Sequence, residues 1–266
     1  MDGVLESLNF SRWPRLEAFS HFQVEDVHAR LGSIPTGKWP ELAGCFVILF
    51  TARTGSTFLC RELEHLFDIG KMGEFLNPAQ LRGRPVSSIV ERRVNSWFAF
   101  KAGAQGIISA ELTGLFETYI DKSVFILLVR RDVVAQAVSL VKAAQTSQWH
   151  LYDQAERKPV YDEGAISRSI RKILARANEL REYAELTGRP RVTLVYEDFA
   201  NSDFNPAIAA AQSLGVPFRT SGEGDEHRPV ERMSDSTNTE WQDRYTADMS
   251  PTVRSRIDAY KASLIG

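Results

Sequence analysis

The sequence has 266 residues, 43% of them hydrophobic, which suits one large globular domain or a domain with an appendage. Its formal net charge of −2 disfavours general binding to nucleic acids or to a membrane surface. No apolar run approaches the ~20 residues that cross a bilayer. The N-terminal residues begin acidic and lack an apolar core, so no secretory signal is predicted. Cys45 and Cys60 do not form a disulfide framework, so a cytoplasmic protein is expected.

Turn-forming residues are frequent in residues 1–44, which are therefore predicted to be an irregular N-terminal extension before a main domain at 45–266. In the main domain, apolar runs of strand length alternate with helical periodicity. Strands are predicted at 45–51, 68–73, 106–112, 123–130 and 191–196, and helices at 56–67, 86–102, 133–146, 164–187, 205–214 and 251–264. Strands that are apolar on both faces indicate a parallel central sheet flanked by helices. The predicted fold is α/β, with the ligand site at the carboxyl ends of the strands.

The turn after the first predicted strand has the features of an anion site. It reads FTARTGSTFLCREL and runs into a helical pattern. A helix N-terminus presents unpaired N–H groups and a positive dipole end, which bind anions. The small residues of the stretch 54–57, which are Thr54, Gly55, Ser56 and Thr57, would let the backbone approach such a ligand, and Arg53 adds a cation. The alternative is an ordinary strand-to-helix turn with a Ser or Thr N-cap.

The residue types in this turn argue against phosphoryl transfer. ATP-using P-loop enzymes place a lysine on the phosphates, where this sequence has Ser56. The strand predicted at 123–130 ends in two arginines rather than in a metal-binding carboxylate, and Asp132 is interpreted as a helix N-cap. A metal-dependent kinase is therefore disfavoured. A transferred group with less charge than phosphoryl needs less neutralisation, and sulfuryl is such a group.

A second cationic corner follows the strand at 123–130. Arg131 stands at the strand end, and Ser139 lies about two helical turns after Asp132 on the same face. Both side chains could contact one phosphate. The alternative is that Arg131 pairs with a carboxylate and Ser139 merely packs.

Together the two corners resemble the nucleotide-binding elements of sulfotransferases that use 3′-phosphoadenosine 5′-phosphosulfate (PAPS). More narrowly, the chain resembles the bacterial trehalose 2-sulfotransferase family. The matching segments, across roughly residues 45 to 245, are ARTGSTFLCREL, GEFLNP, RRDVVAQAVSLVKAAQTSQWH and VERMSDSTNTEWQDRY. The resemblance implies a P-loop-like sulfotransferase fold, PAPS as donor, PAP as product and no metal. It also implies that Arg53, Thr54, Gly55, Ser56 and Thr57 hold the phosphosulfate, that Arg131 and Ser139 hold the 3′-phosphate, and that Arg232 belongs to a C-terminal loop on the cofactor side.

Sulfuryl transfer to an alcohol needs a base for the hydroxyl proton. The resemblance implies Glu74, in the Gly-Glu-Phe segment, for this role. The alternative is a surface glutamate in a turn. The family also implies a lysine in the third strand, where this sequence has Glu111. A carboxylate there would repel the phosphosulfate unless it is paired with a cation, for which Arg53 and Arg130 are the candidates. Glu111 is also a candidate for a rival base or for an acceptor-binding residue.

The remaining predictions concern the acceptor and the partners. His150 follows a tryptophan and is a candidate for the acceptor side, with a half-buried loop histidine as the alternative. The five histidines show no metal-ligand spacing, so no metal site is predicted. The predicted function is sulfuryl transfer from PAPS to a hydroxyl of a carbohydrate or glycolipid-type acceptor. A metal-dependent kinase and a non-catalytic nucleotide-binding module are the alternatives, and the family implies a homodimer.

Overall fold

The sheet is parallel throughout. In the part of the chain that the computed structural model describes, residues 10–32, 37–81, 83–149, 156–200, 205–219 and 236–264, four strands pair in the order β2-β1-β3-β4. The strands are β1 (Gly44–Phe50), β2 (Trp97–Ala102), β3 (Ser123–Val129) and β4 (Arg191–Val195). The predicted α/β fold with a parallel central sheet is therefore confirmed.

Helices flank this sheet and connect its strands. They are α1 (His21–Leu31), α2 (Ser56–Leu66), α3 (Pro78–Leu81), α4 (Val86–Val90), α5 (Ala104–Leu112), α6 (Leu115–Tyr119), α7 (Val133–Thr146), α8 (Glu163–Leu186), α9 (Tyr196–Phe199), α10 (Asn205–Ser213), α11 (Ser236–Asp248) and α12 (Pro251–Ala262). Short 3-10 turns lie at Phe10–Arg12, Pro14–Ala18 and Ile120–Lys122. Among these helices, none is long and apolar enough to span a bilayer.

Strand β1 is buried on both faces, which explains its unbroken apolar run. Successive side chains of a strand point to opposite faces. Val47 and Leu49 accordingly join one core cluster, with α1, α5 and α6, whereas Phe46 and Ile48 join another, with α2 and α10. A third cluster lies between α7, α8, α11 and α12. The sheet therefore sits at the centre, and its carboxyl edge carries the loops.

Three predicted elements of the middle region are wrong. Residues 106–112 form the buried helix α5, because a short apolar run does not distinguish a strand from a buried helix. The helix predicted at 86–102 is short helix α4 followed by strand β2; Asn95 and Ser96 have positive φ angles of 45° and 63° and separate the two. The strand predicted at 68–73 is absent, since Phe67 makes only an isolated bridge to Phe218 there.

The N-terminal region is helical where irregular structure is predicted. In α1, the Ser20 side chain caps the helix by accepting from the Gln23 N–H, and Val24, Val27 and Leu31 are buried in the same core cluster as β1. The expectation of an irregular extension is therefore wrong for this stretch. The domain boundary at residue 44 stays a prediction.

Candidate active site

The loop after β1 has a conformation that requires its glycine. Arg53 and Gly55 both have positive φ, 65° and 85°. A Cβ on Gly55 would lie 2.4 Å from Cε2 of Tyr196, so a larger residue would meet both backbone strain and a ring. The Thr54 hydroxyl donates to the carbonyl of Thr51 at 2.9 Å. Thr54 is thus buried as part of the loop's own structure.

Helix α7, which follows the neighbouring strand β3, contributes hydrogen bonds that fix the start of this loop. The fully buried Gln136 donates from Nε2 to Oγ1 of Thr51 at 2.8 Å and to the carbonyl of Ala52 at 2.7 Å. One amide group thus fixes the start of the loop. Gln136 is not among the residues predicted from the sequence, although an amide in an apolar helix face that follows two arginines is a usable signal.

The two predicted corners meet at Arg53. Its Nε donates to Oγ of Ser139 at 2.9 Å, and its Nη1 donates to the carbonyl of Trp149 at 2.8 Å. Burial and the nearby positive charge of Arg130 lower the pKa of Arg53. Two like charges in a partly buried site favour an anion between or beside them.

Of the two arginines that follow β3, Arg130 contacts the loop. Its Nη1 donates to the carbonyl of Arg53 at 3.2 Å, and its guanidinium lies 5.0 Å from the centre of the Tyr196 ring. Arg131 is more exposed and donates to Oδ1 of Asp198 at 2.8 Å, which raises its pKa. The structure thus shows Arg131 paired with a carboxylate, the alternative that the sequence leaves open.

Glu197 organises the turn from β3 into α7. Its two oxygens accept from the N–H groups of Arg131 and Asp132 at 2.9 and 3.0 Å, and Oε1 lies 3.6 Å from Nε of Arg130. Asp132 in turn accepts from the N–H of Ala135 at 2.9 Å, which confirms the predicted N-cap. The Tyr-Glu-Asp segment of α9 therefore positions both arginines, although it is not among the residues predicted from the sequence.

Lysine is supplied to the loop by β2. Nζ of Lys101 donates to Oγ1 of Thr57 at 2.8 Å and to Oγ of Ser56 at 3.3 Å, and the side chain is 10% exposed. The prediction that Glu111 occupies the place of a strand lysine is wrong, because the third predicted strand is α5. The alternation of bulky apolar residues in Trp-Phe-Ala-Phe-Lys-Ala is the signal that could have placed Lys101 on a strand.

Glu74 lies beside this lysine. Its Oε1 is 3.5 Å from Nζ of Lys101, and the carboxylate side chain is 44% exposed. The backbone N–H of Lys101 donates to the carbonyl of Gly73 at 3.1 Å, so the segment that carries Glu74 is attached to β2. The structure therefore brings Glu74, the predicted base, close to the ammonium that contacts the Ser56 and Thr57 hydroxyls.

Glu111 lies in a different, buried network. It is 1% exposed, and both of its oxygens accept from Arg15, at 2.6 and 2.9 Å. The Tyr183 hydroxyl donates to it at 2.7 Å, and burial together with the Glu111 charge raises the pKa of Tyr183 well above its ordinary value. The predicted pairing with Arg53 or Arg130 is wrong. These bonds occupy the carboxylate that the sequence offers as a rival base or acceptor contact.

Two predicted site residues, His150 and Arg232, lie outside the described residues. No group of three or more metal-ligating His, Cys, Asp or Glu side chains occurs in the described part of the chain. The described site thus combines the N-terminus of α2, two loop hydroxyls and the cations Lys101, Arg53 and Arg130. Such a set fits an anionic group, and Glu74 at its rim is placed to exchange a proton with a neighbouring hydroxyl.

Comparison with known proteins decides the family. The sequence profile of the Stf0 sulphotransferase family matches residues 106–248. The chain belongs to this family. The match includes Arg131 and Ser139, whereas the loop after β1 precedes it. The resemblance stated from the sequence is therefore confirmed, and with it, at the level of the family, the expectation of an enzyme with a sulfotransferase fold.

Two further similarities accompany the Stf0 sulphotransferase match. The chain is 29% identical over 130 residues to Trehalose 2-sulfotransferase of Mycobacterium tuberculosis, across 48% of this chain and 47% of that protein. It thus spans about half the length of this relative. The crystal structure of a sulfotransferase from Alicyclobacillus acidocaldarius superposes with a TM-score of 0.49 and 14% identity, covering 84% of this chain and 96% of the other.

Proposed function

We propose that this Stf0 sulphotransferase transfers a sulfuryl group from PAPS to a hydroxyl of a carbohydrate or glycolipid-type acceptor. The observation that carries the proposal is Lys101, whose ammonium contacts the hydroxyls of Ser56 and Thr57 and lies 3.5 Å from the Glu74 carboxylate. Anion-binding groups and a candidate base thus share one site. Family membership supports the reaction class, and the name of the mycobacterial relative supports a carbohydrate hydroxyl as acceptor.

In this proposal the donor occupies the N-terminus of α2. The predicted phosphosulfate ligands are retained, and Lys101 and Arg130 join them because both contact the same loop. Ser139 remains the candidate for the 3′-phosphate, since it already lies beside a cation. Arg131 is proposed for that phosphate as well and would exchange its contact with Asp198 for the ligand.

The proposed step is a single in-line displacement. The Glu74 carboxylate accepts the proton of the acceptor hydroxyl as its oxygen bonds to sulfur. The bond between sulfur and the bridging oxygen breaks, and that oxygen leaves with the electron pair as part of PAP. Lys101 and the N–H groups at the start of α2 stabilise the charge that develops on the leaving oxygen. No metal ion is needed in this scheme.

The donor is tested by thermal unfolding with PAP, ATP or ADP, each with and without Mg²⁺. We expect stabilisation by PAP that does not depend on Mg²⁺, because binding to the folded state raises its stability. Stabilisation by ATP only in the presence of Mg²⁺ would instead support the kinase. Binding of PAP without transfer to any offered saccharide would support the non-catalytic nucleotide-binding module.

The base is tested with Glu74→Gln. We expect turnover to fall by about 100-fold or more, the usual size of general-base catalysis, while PAP binds at least as tightly as before. Glu185→Gln is the matched control, since Glu185 is an exposed carboxylate that lies 3.9 Å from Arg191, at the amino end of β4 and so at the opposite edge of the sheet. A Glu74→Gln variant with full activity would place the base elsewhere.

The homodimer and the cytoplasmic location stay predictions.

A further inference from the structure

The ammonium of Lys101 lies between two groups of different kinds. On one side are the loop hydroxyls, Thr57 Oγ1 at 2.8 Å and Ser56 Oγ at 3.3 Å. On the other side is Oε1 of Glu74 at 3.5 Å, which supplies the counter-charge. An ammonium has three N–H donors; the two hydroxyls take two of them, and Glu74 faces the ammonium as an ion pair. A further anion at the loop must therefore share or displace one of them.

The two partners differ in how firmly they are held. Ser56 and Thr57 belong to the first turn of α2, whereas the Glu74 side chain is 44% exposed and stands in a segment without regular structure. The ammonium of Lys101 also lies over the Phe50 ring, with Nζ 5.2 Å from the ring centre, which limits its reach. Of the three neighbours, Glu74 is the one whose side chain can move away at low cost, because exposed side chains exchange rotamers readily.

We propose that the donor anion and Glu74 compete for Lys101, so that donor binding releases Glu74 toward the acceptor. In the donor-free site, Lys101 holds the Glu74 carboxylate beside the loop. When an anion binds at the N-terminus of α2, the ammonium turns its third N–H to the anion and the Glu74 side chain is freed to meet an acceptor hydroxyl. Lys101 is thus a positioning residue for the base as well as a donor ligand. This inference rests on the proposed function.

The backbone geometry keeps the released side chain close to the site. The backbone N–H of Lys101 donates to the carbonyl of Gly73 at 3.1 Å. This hydrogen bond involves neither the Lys101 nor the Glu74 side chain, so it persists when they move. Only side-chain torsions of Glu74 and Lys101 need to change. The base therefore becomes available after the donor is in place, and acceptor binding in the absence of donor is unproductive.

The test is a double-mutant cycle on the affinity for PAP, measured by calorimetry with the full chain. The variants are Glu74→Gln, Lys101→Met and the pair; methionine keeps an unbranched side chain and removes the ammonium. We expect Glu74→Gln to tighten PAP binding about two- to fivefold, the range of a partly exposed ion pair. Lys101→Met should weaken it at least tenfold. In the Lys101→Met background, Glu74→Gln should give no further gain.

Any other result would contradict the proposed competition between Glu74 and the donor anion for Lys101. An equal gain from Glu74→Gln in both backgrounds would mean simple charge repulsion between Glu74 and the ligand, and a weaker affinity would mean that Glu74 supports the anion. Lys101→Gln replaces Lys101→Met if the latter fails to fold, and Lys101→Arg should restore the dependence on Glu74. Absence of PAP binding to the unchanged chain would refute the proposed donor together with this inference. PAP binding with an additive cycle would refute this inference alone.

Discussion

Arg53 donates a 2.9 Å hydrogen bond to the hydroxyl of Ser139, which lies 86 residues further along the chain. The bond joins the loop after β1 to the helix after β3. Because β1 and β3 are neighbours and run parallel, their following loops leave the sheet at the same edge. The candidate site is therefore a direct consequence of the strand order.

The first prediction concerns this hydrogen bond. Ser139→Ala removes the acceptor of Arg53 and a candidate phosphate contact, so we expect the affinity for PAP to fall by about tenfold, equivalent to ~1.4 kcal/mol. Calorimetric titration measures the change. Ser213→Ala is the control, because that hydroxyl donates only within its own helix, to the carbonyl of Ala210. Unchanged PAP affinity in Ser139→Ala would remove Ser139 from the donor site.

The second prediction concerns the loop glycine. Gly55→Ala adds a Cβ that would lie 2.4 Å from the Tyr196 ring, at a φ of 85°. Gly188→Ala shares the positive φ, 61°, but meets no atom within 4 Å. We expect both to lower the free energy of unfolding, with Gly55→Ala costing about 1–3 kcal/mol more because of the overlap. Urea unfolding compares the two, and equal losses would show that the loop absorbs the added methyl group.

The third prediction concerns the buried pair of Arg15 and Glu111. Arg15→Met leaves the Glu111 carboxylate buried without its counter-charge, which should lower the free energy of unfolding by about 3–5 kcal/mol. Adding Glu111→Leu to that variant should recover much of the loss. The exposed pair of Arg12 and Glu117, 3.4 Å apart, is the control, and Arg12→Met should change stability by less than about 1 kcal/mol.

The same variants separate stability from chemistry. Because the Glu111 carboxylate is occupied by Arg15 and Tyr183, the folded double variant should keep its affinity for PAP and its turnover. Loss of turnover in a variant that remains folded at the assay temperature would restore Glu111 as a candidate base. Turnover and urea unfolding measured on one preparation give the answer.

The fourth prediction concerns the two cysteines, which are free and buried. Burial raises the pKa of both Cys45 and Cys60 to about 12, so almost no thiolate exists near pH 8. Iodoacetamide should therefore leave the folded protein unmodified and alkylate both residues in guanidinium, as mass spectrometry would show. Modification of Cys60 under native conditions would indicate that α2 opens beside the loop, and protection by PAP would then be the next measurement.

The sequence pattern was sufficient to predict a strand or a helix where the segment was long or its hydrophobic pattern unambiguous. The unbroken apolar runs of β1 and β3 and the long periodic helices α7 and α8 are predicted nearly as they occur. The middle region was not predictable in this way. Residues 106–112 are mostly apolar and suit a strand or a buried helix equally, and only their packing in the core against β1 and α1 makes them helical.

For the site, the loop, its glycine, the N-cap at Asp132 and the family can be recognised from the sequence, because they depend on neighbouring residues and on local motifs. Which distant side chains complete the site depends on the three-dimensional arrangement of the strands. Lys101 reaches the loop because β2 pairs with β1, and Arg130 rather than Arg131 turns toward it because Glu197 and Asp198 hold the strand end. Such contacts are set by strand order and by competition among charges, neither of which a linear pattern records.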